Sequence, residues 1–424
     1  MKAEMSRTDT DMMVSAAAIK EYALELGFDS VRISEARAFA GAEQVIKERI
    51  AQGLMDGLPW FTAERAAVSC HPDALLPGAK SIIALAMCYL SEQPDESQQG
   101  GPRGRISRYA WGDDYHDLIK PKLQQFASWL RDYARAEVPD LETRLFVDTG
   151  RMVDRAVAQR TGLGWYGKNT NILTHSWGSW VFLAEIVTNL PIKEEEFDAP
   201  LKANCGNCEI CLHACPTGAL PAPYVLDNRR CISYLTIELR GSIPLELRPL
   251  MGNLIFGCDI CQQVCPVNLV AERRLGLRKD GPPSVRPLVF HPRREFSPRA
   301  ATGGSPELIP LLKLTEEEFR ERFSHSPIKR AKRRGLLRNV CVALGNSGDQ
   351  NAVPALIEAL HHEEPLVRGH AAWALGQLGG TQARQALEEA LQDEADKEVQ
   401  QEIRCALETG RGIVSTKEAE GPCE

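Results

Sequence analysis

"CGNCEICLHACPTGALP", residues 205–221, sets Cys205, Cys208, Cys211 and Cys215 within eleven residues and follows the last with Pro216. "CDICQQVCP", residues 258–266, does much the same with Cys258, Cys261 and Cys265 ahead of Pro266. What so many thiols are for depends on where the chain resides. Its longest apolar runs, such as "SIIALAMCYL", fall well short of the roughly 18 residues that cross a bilayer. The N-terminus, "MKAEMSRTDTDMM", has neither an apolar signal core nor a twin-arginine pair. The expectation is a soluble cytoplasmic protein with no membrane partner. Disulfides are rare in that compartment, so clustered cysteines point to metal. A formal charge of −7 excludes a global electrostatic pull towards nucleic acid, and any polyanion partner needs a local basic patch.

The first run matches the CxxCxxCxxxCP pattern of bacterial two-cluster ferredoxins, in which the fourth cysteine ligates the other cluster. Three thiolates wrap one cube while the chain carries Cys215 to a second, which needs three more ligands. Cys258 and Cys261 supply two, and Cys231 is the only other cysteine in the region. Cys265 returns to the first cube. The expected ligand sets are therefore Cys205, Cys208, Cys211 and Cys265 on one 4Fe-4S cluster, and Cys215, Cys231, Cys258 and Cys261 on the other. Zinc also binds CxxC pairs, but a zinc ribbon needs neither the triple spacing nor the Cys-Pro endings. Cys70, Cys88, Cys341, Cys405 and Cys423 stand alone and read as packing residues.

Outward from the cysteines, the chain changes texture three times. Residues 15–26, "SAAAIKEYALEL", carry helical apolar spacing that stops at Gly27, and "SVRIS" then reads as a strand. The β-rich runs "SIIALAMCYL", "TRLFVDTG" and "SWVFLAEIVTN" alternate with helical stretches such as "DLIKPKLQQFASWLRDYA". This predicts an α/β domain over 1–195, followed by a ferredoxin-like segment over 196–275 and a Pro- and Arg-rich connector over 276–327. Residues 336–360 align with 367–391 at an offset of 31, matching Leu344 to Leu375, Gly345 to Gly376 and Leu356 to Leu387. Paired helices at that period predict an all-α HEAT-like solenoid over 328–410, with 411–424 as a tail.

Clusters that move electrons need an acceptor, and the α/β segment is the place to look for one. "TGLGWYGKN" satisfies GxGxxG at Gly162, Gly164 and Gly167, but "DRAVAQR" ahead of it is helical, so the dinucleotide reading fails its context. The glycines either admit a large flat cofactor or make a turn. "RLFVDTGRMVDRA" places Asp148 at the end of a strand, where α/β folds put their chemistry; a capping role is the alternative. "GRISRYAWGDDYHDL" gathers Arg105, Arg108, Tyr109, Trp111, Asp114, Tyr115 and His116 and reads as a binding loop.

Taken together, "RYAWGDDYH", "FVDTG", "DRAVAQRTGLGWYGKN", both cysteine runs and the helical repeats resemble the epoxyqueuosine reductase family over nearly the whole chain. The resemblance implies a cobalamin cofactor beside two 4Fe-4S clusters, and removal of the epoxide oxygen of epoxyqueuosine at the wobble position of tRNA to give queuosine. It further implies that Asp148 is the proton donor, protonated when it acts and therefore partly buried. Arg65, Trp111, Asp148, Ile172, Leu183 and Thr236 become cobalamin contacts, some through backbone. "DYHDLI" begins like a motif whose histidine binds cobalt, but Ile119 stands where glycine is required, so His116 is not taken as an axial ligand.

A tRNA substrate makes sense of a basic run on an acidic chain. "IKRAKRRGLLR" holds Lys329, Arg330, Lys332, Arg333, Arg334 and Arg338, and Arg293, Arg294 and Arg299 precede it, together a phosphate track. A small electron-donor protein or reductant completes the partners. Two alternatives are a reductive dehalogenase-like corrinoid enzyme acting on a small molecule, which has no use for the basic repeats, and a ferredoxin-like carrier docked through those repeats.

Overall fold

The computed structural model describes residues 14–92, 100–278, 291–299 and 303–409. The tail at 411–424 and residues 279–290 and 300–302 of the Pro-rich connector lie outside the described residues. The chain divides into two compact units. One comprises residues 1–53, 59–88 and 115–207; the other comprises 54–58, 89–114 and 208–424. Short pieces at 54–58 and 89–114, within the span expected for the first domain, thus belong to the unit that contains the repeats and every cluster cysteine from Cys208 on, while Cys205 falls in the first unit.

Among the described residues there are eight strands: β1 Ser30–Glu35, β2 Ser81–Cys88, β3 Arg105–Ile106, β4 Thr143–Phe146, β5 Trp165–Tyr166, β6 Ile172–Leu173, β7 Val181–Thr188 and β8 Leu254–Phe256. The first unit is built on a four-stranded sheet in the order β1-β2-β7-β4, antiparallel at every pairing. The alternation of helix and strand is as expected, but the rule that seats chemistry at strand C-termini belongs to parallel sheets and does not apply here. Every residue of β2 is buried, so the sheet is covered on both faces. Ile82, Ala84 and Ala86 of β2 pack with Val187 against Ala156 and Val157 of the helix Asp154–Arg160. On the opposite face Phe182, paired with Met87, stacks on Tyr115 of the helix Tyr115–Tyr133 at 4.1 Å between ring centres.

Helix limits follow local chemistry. Ser15 accepts the Ala17 N–H ahead of Ala16–Glu25, and Gly27, at φ 89°, closes that helix in the left-handed region that glycine enters without cost. The hairpin β5–β6 follows the helix Asp154–Arg160 rather than a strand. A Cβ at Gly164 would lie 2.6 Å from the Leu173 carbonyl oxygen, and one at Gly162 2.2 Å from that of Ala199. At these two positions the glycines serve close approach of the chain to itself.

In the second unit the repeats are helices Lys332–Ser347, Val353–Ala359, Pro365–Leu378, Thr381–Asp393 and Lys397–Thr409. A Cβ on Gly345 would come within 2.9 Å of Ala374 Cα, and one on Gly376 within 2.8 Å of Ala406 Cα. The repeated glycines are therefore the points where successive repeats cross, and the period of 31 read from the sequence is a packing period. Arg248, fully buried, pairs with Glu402 at 2.5 Å, and His370 accepts the Ile243 N–H at 3.2 Å, tying the repeats to residues 243–248. Among the described residues no helix is long and apolar enough to cross a membrane.

Candidate functional site

The cysteine runs fold as two copies of one local device. In the first, the helix Ile210–Ala214 carries Cys211 and ends on Cys215; in the second, Ile260–Gln263 carries Cys261, and Cys265 opens the helix Pro266–Arg274. Each short helix is preceded by an acidic residue with ψ near zero: Glu209 at φ −131°, ψ 15°, and Asp259 at φ −108°, ψ 6°. Cys215 (φ −71°, ψ 110°) and Cys265 (φ −71°, ψ 122°) then adopt the same extended geometry, which the following proline enforces. All eight cysteines are half-buried. Burial pushes the Cys258 thiol up to about 12, with Cys231, Asp259 and Cys215 adding to the effect, so these cysteines are close neighbours. Burial likewise raises Cys261, with contributions from Cys258, Cys231 and Cys211. Among the described residues no three or more His, Cys, Asp or Glu side chains are placed to hold a single metal ion.

The polar loop ahead of Tyr115 is occupied with structure. Arg108 forms a buried 2.9 Å ion pair with Glu272, its backbone N–H donates to Asp259, and Ser107 Oγ donates to the same carboxylate at 2.5 Å. Trp111 is buried with its indole N–H donating to the Ile106 carbonyl at 2.8 Å, and Asp114 pairs with Lys329 at 2.8 Å. Thr236 is also enclosed: its hydroxyl donates to the Ile232 carbonyl and accepts the Gly257 N–H.

In the first unit, Asp148 stands two residues past β4. Phe146, the last paired residue of β4, faces Glu185 of β7. Its φ of 51° is left-handed, a conformation that costs a non-glycine residue free energy and is often found at functional turns. Three side chains hold the turn. Tyr115 donates its phenolic hydrogen to Asp148 Oδ2, Arg65 Nη2 donates to the Gly150 carbonyl at 2.7 Å, and His116 Nε2 lies 3.2 Å from Thr149 Oγ1. Asp148 itself is exposed, which corrects the expectation of partial burial: it lies on a turn past the end of β4, beyond the paired strands that cover the sheet.

Behind this turn lies a feature that pattern reading missed. Glu185 sits mid-strand in β7, 1% exposed, between Leu183 and Val187 on the face covered by the helix Asp154–Arg160. Its carboxyl adjoins that of Asp154, the first residue of the helix, and Glu185 Oε2 and Asp154 Oδ1 are buried with no hydrogen-bond partner among the described residues. Burial, then the charge of Asp154, raises Glu185 well above the usual carboxyl range. Asp154 is raised to about 6, by burial first and also by Asp148. The available signal was a lone glutamate inside the apolar run "VFLAEIV", a position that ordinarily excludes charge. Nearby, Ile172 is buried in β6, Leu183 is half-buried, and the indole N–H of Trp165 is buried without an acceptor among the described residues.

The basic run divides on inspection. Arg338 is fully buried and donates to the carbonyls of Leu235, Leu239 and Gly241, closing the end of the helix Ile232–Ile237. Its place in the phosphate track is therefore withdrawn, because its donors are spent on backbone groups that have no water to replace them. Arg333 is 14% exposed and binds the Leu314 carbonyl, Glu363 and His362. Arg330 pairs with Glu238, Arg334 lies 3.9 Å from Glu364, and Arg299 pairs with Asp113. Arg293 is half-buried, while Lys332 and Arg294 are exposed.

Comparison with known proteins gives three family matches: "Epoxyqueuosine reductase QueG, DUF1730" over residues 70–149, "4Fe-4S double cluster binding domain" over 204–268, and "HEAT repeats" over 329–408. An epoxyqueuosine reductase of Bacillus subtilis is 37% identical over 401 residues, covering 94% of this chain and 96% of that one. One from Escherichia coli K12 is 36% identical over 369 residues, covering 87% and 90%. Among solved structures, an epoxyqueuosine reductase with a tRNA-Tyr epoxyqueuosine-modified stem loop superposes with a TM-score of 0.82 at 36% identity, covering 93% of this chain and 98% of that one. The Streptococcus thermophilus enzyme gives 0.78 at 30% identity, covering 93% and 99%.

Proposed function

This chain belongs to the epoxyqueuosine reductase family, and we propose that it reduces the epoxide of epoxyqueuosine to queuosine at the wobble position of tRNA. The observation that carries the reading is relatedness over the whole architecture: α/β region, double-cluster segment and repeats all fall within one alignment that spans 96% of a reductase of that name. We assign residues 1–195 to the catalytic, cobalamin-binding domain, 196–275 to the clusters, 276–327 to the connector, 328–410 to the repeats and 411–424 to a tail. The cytoplasm, where tRNA is found, is the compartment.

Each 4Fe-4S cube takes the cysteines its spacing requires: Cys205, Cys208, Cys211 and Cys265 for one, Cys215, Cys231, Cys258 and Cys261 for the other. The closeness of Cys258 to Cys231 and Cys215 supports the second set. Cobalamin fits the residues present in the first unit. Ile172 and Leu183 offer apolar surface to a corrin face, and the Trp165 indole is a buried donor in need of an acceptor such as a corrin amide. Arg65, Asp148, Trp111 and Thr236 complete the assignment, the last two through backbone because their side-chain groups are already engaged. When bound, the group supplies a low-valent cobalt able to act as nucleophile or reductant towards a strained C–O bond.

The chain's own part is proton handling and positioning. Asp148 gives a proton to the departing oxygen, which gains negative charge as its bond to carbon breaks. Tyr115 and Arg65 hold the turn that presents this carboxyl. Exposed Lys332 and Arg294, with the outward parts of Lys329, Arg330, Arg334 and Arg293, contact RNA phosphates. The bases read lie in the unstacked anticodon loop.

Anaerobic incubation of the reconstituted protein with cobalamin, a reductant and tRNA carrying epoxyqueuosine, followed by mass spectrometry of the nucleoside, tests this. Cobalamin-dependent loss of one oxygen is expected. An unchanged nucleoside at full cluster and corrinoid occupancy overturns the reading in favour of a small-molecule substrate.

A further inference from the structure

Removing an epoxide oxygen as water breaks two C–O bonds and forms one C=C bond. It consumes two electrons, delivered through the iron–sulfur clusters, and two protons. Asp148 holds one exchangeable proton. On the reduction assigned above, each turnover therefore needs a second proton at a site that a bound nucleotide covers and dries.

Two other carboxyls lie behind the turn of Asp148: Glu185, which faces Phe146 across the sheet, is buried, and Asp154 is half-buried with its Oδ1 sealed from solvent. Glu185 is 1% exposed at the centre of β7, where the facing residue of β2 is Ala84 and that of β4 is Phe146, neither able to donate. Glu185 Oε2 and Asp154 Oδ1 are both buried with no hydrogen-bond partner among the described residues, and the two carboxyls adjoin each other. Two adjoining carboxylates sealed from water repel, and a hydrogen shared between them relieves both the repulsion and the missing donor. The remaining titratable groups around the pair are Asp148 beyond β4, Arg155 on the helix, and the Tyr166 phenol of β5, itself near Cys70. None neutralises the pair from within the core: Arg155 is exposed, and burial holds the Tyr166 and Cys70 protons on. A structural ion pair would place an opposite charge here, and the fold places a second acid.

We propose that Asp154 and Glu185 form one proton-sharing carboxyl pair that recharges Asp148 within each turnover. Both are positioning residues for the proton and act through Asp148, without touching substrate. Burial raises both carboxyls, Asp154 to about 6, so the pair still holds a proton where an ordinary carboxyl is empty.

The test uses the full chain with clusters and cobalamin. Glu185→Gln keeps the shape and a hydrogen-bond donor but has no proton to give. Its kcat should fall by roughly tenfold or more, with KM for modified tRNA unchanged. The alkaline fall of its pH–rate profile should move to lower pH, since Asp148 then refills only from solvent, and Glu185→Asp should restore part of the rate. Independently of turnover, infrared difference spectra of the wild-type protein at neutral pH should contain a protonated, buried carboxyl band that Glu185→Gln lacks. Absence of that band from the wild type overturns the inference, as does a Glu185→Gln enzyme with wild-type kcat across the pH range. If the wild type itself leaves epoxyqueuosine intact, the reduction assigned above fails and the proton pathway fails with it; a competent wild type matched by Glu185→Gln removes the proton pathway alone.

Discussion

The two units bury charge in opposite ways. In the second, buried cations are answered: Arg248 meets Glu402, Arg108 meets Glu272, and Arg338 meets three backbone carbonyls. In the first, Asp154 and Glu185 are buried against each other, two acids without a cation between them. A matched charge in a core fixes geometry and does nothing further. An unmatched acid shifts its pKa until it holds a proton, so it remains chemically active at neutral pH. The contrast separates residues spent on architecture from residues kept for reaction.

Four experiments press on that contrast. Asp148→Asn should lower turnover by roughly 100-fold to 10,000-fold while leaving the thermal midpoint in place, since the side chain is exposed and the amide oxygen can still accept the Tyr115 hydrogen. Equal loss of stability and activity would make it architectural. Arg338→Met should destabilise the second unit by about 3–5 kcal/mol, read from denaturant unfolding, because three buried carbonyls lose their donor at once. A near-neutral result would place Arg338 among the dispensable cations.

The acid pair carries a pH signature of definite sign. Glu185 has a raised pKa in the folded protein and an ordinary one unfolded, so the folded state binds more protons between those values. Its stabilising contribution is complete below about pH 4.5 and is lost as pH rises towards the folded value, at up to about 1.4 kcal/mol per pH unit. Asp154 adds the same sign between its ordinary value of 3.8 and about 6. Glu185→Gln should therefore flatten the decline of the thermal midpoint from mildly acid to neutral pH. A steeper decline in the variant would contradict the assignment. The smallest effect belongs to the surface: Lys332→Ala and Arg294→Ala should each change stability by less than about 0.5 kcal/mol. Each should also weaken tRNA binding and reduce the log–log salt slope by about 1, measured by filter binding over a salt series. An unchanged slope would take that residue off the RNA surface.

Much of this was legible in the chain. Apolar period separated the strands Ser81–Cys88 and Val181–Thr188 from the helix Tyr115–Tyr133, since burial on a sheet or on a helix face repeats at different spacings. Cysteine spacing announced the double-cluster segment. The 31-residue offset located Gly345 and Gly376, which turned out to be crossing points of helices. The basic run illustrates the limit. "IKRAKRRGLLR" reads as one patch, yet Lys332 is exposed and Arg338, six residues on, is sealed in the core. A run of like charges records composition, and which face of the helix each charge occupies depends on what packs against it.

The sequence by itself determined the periodic elements, the thiol ladder and the repeat, because each depends on neighbours close along the chain or on a spacing that recurs. Only the tertiary structure decided three things: that the sheet is antiparallel, that residues 54–58 and 89–114 join the unit of the clusters, and that Asp154 meets Glu185 behind Asp148. These depend on segments far apart in sequence being brought together. Burial then sets the protonation state of the acids, and burial is a property of the assembled core that no single stretch of residues carries.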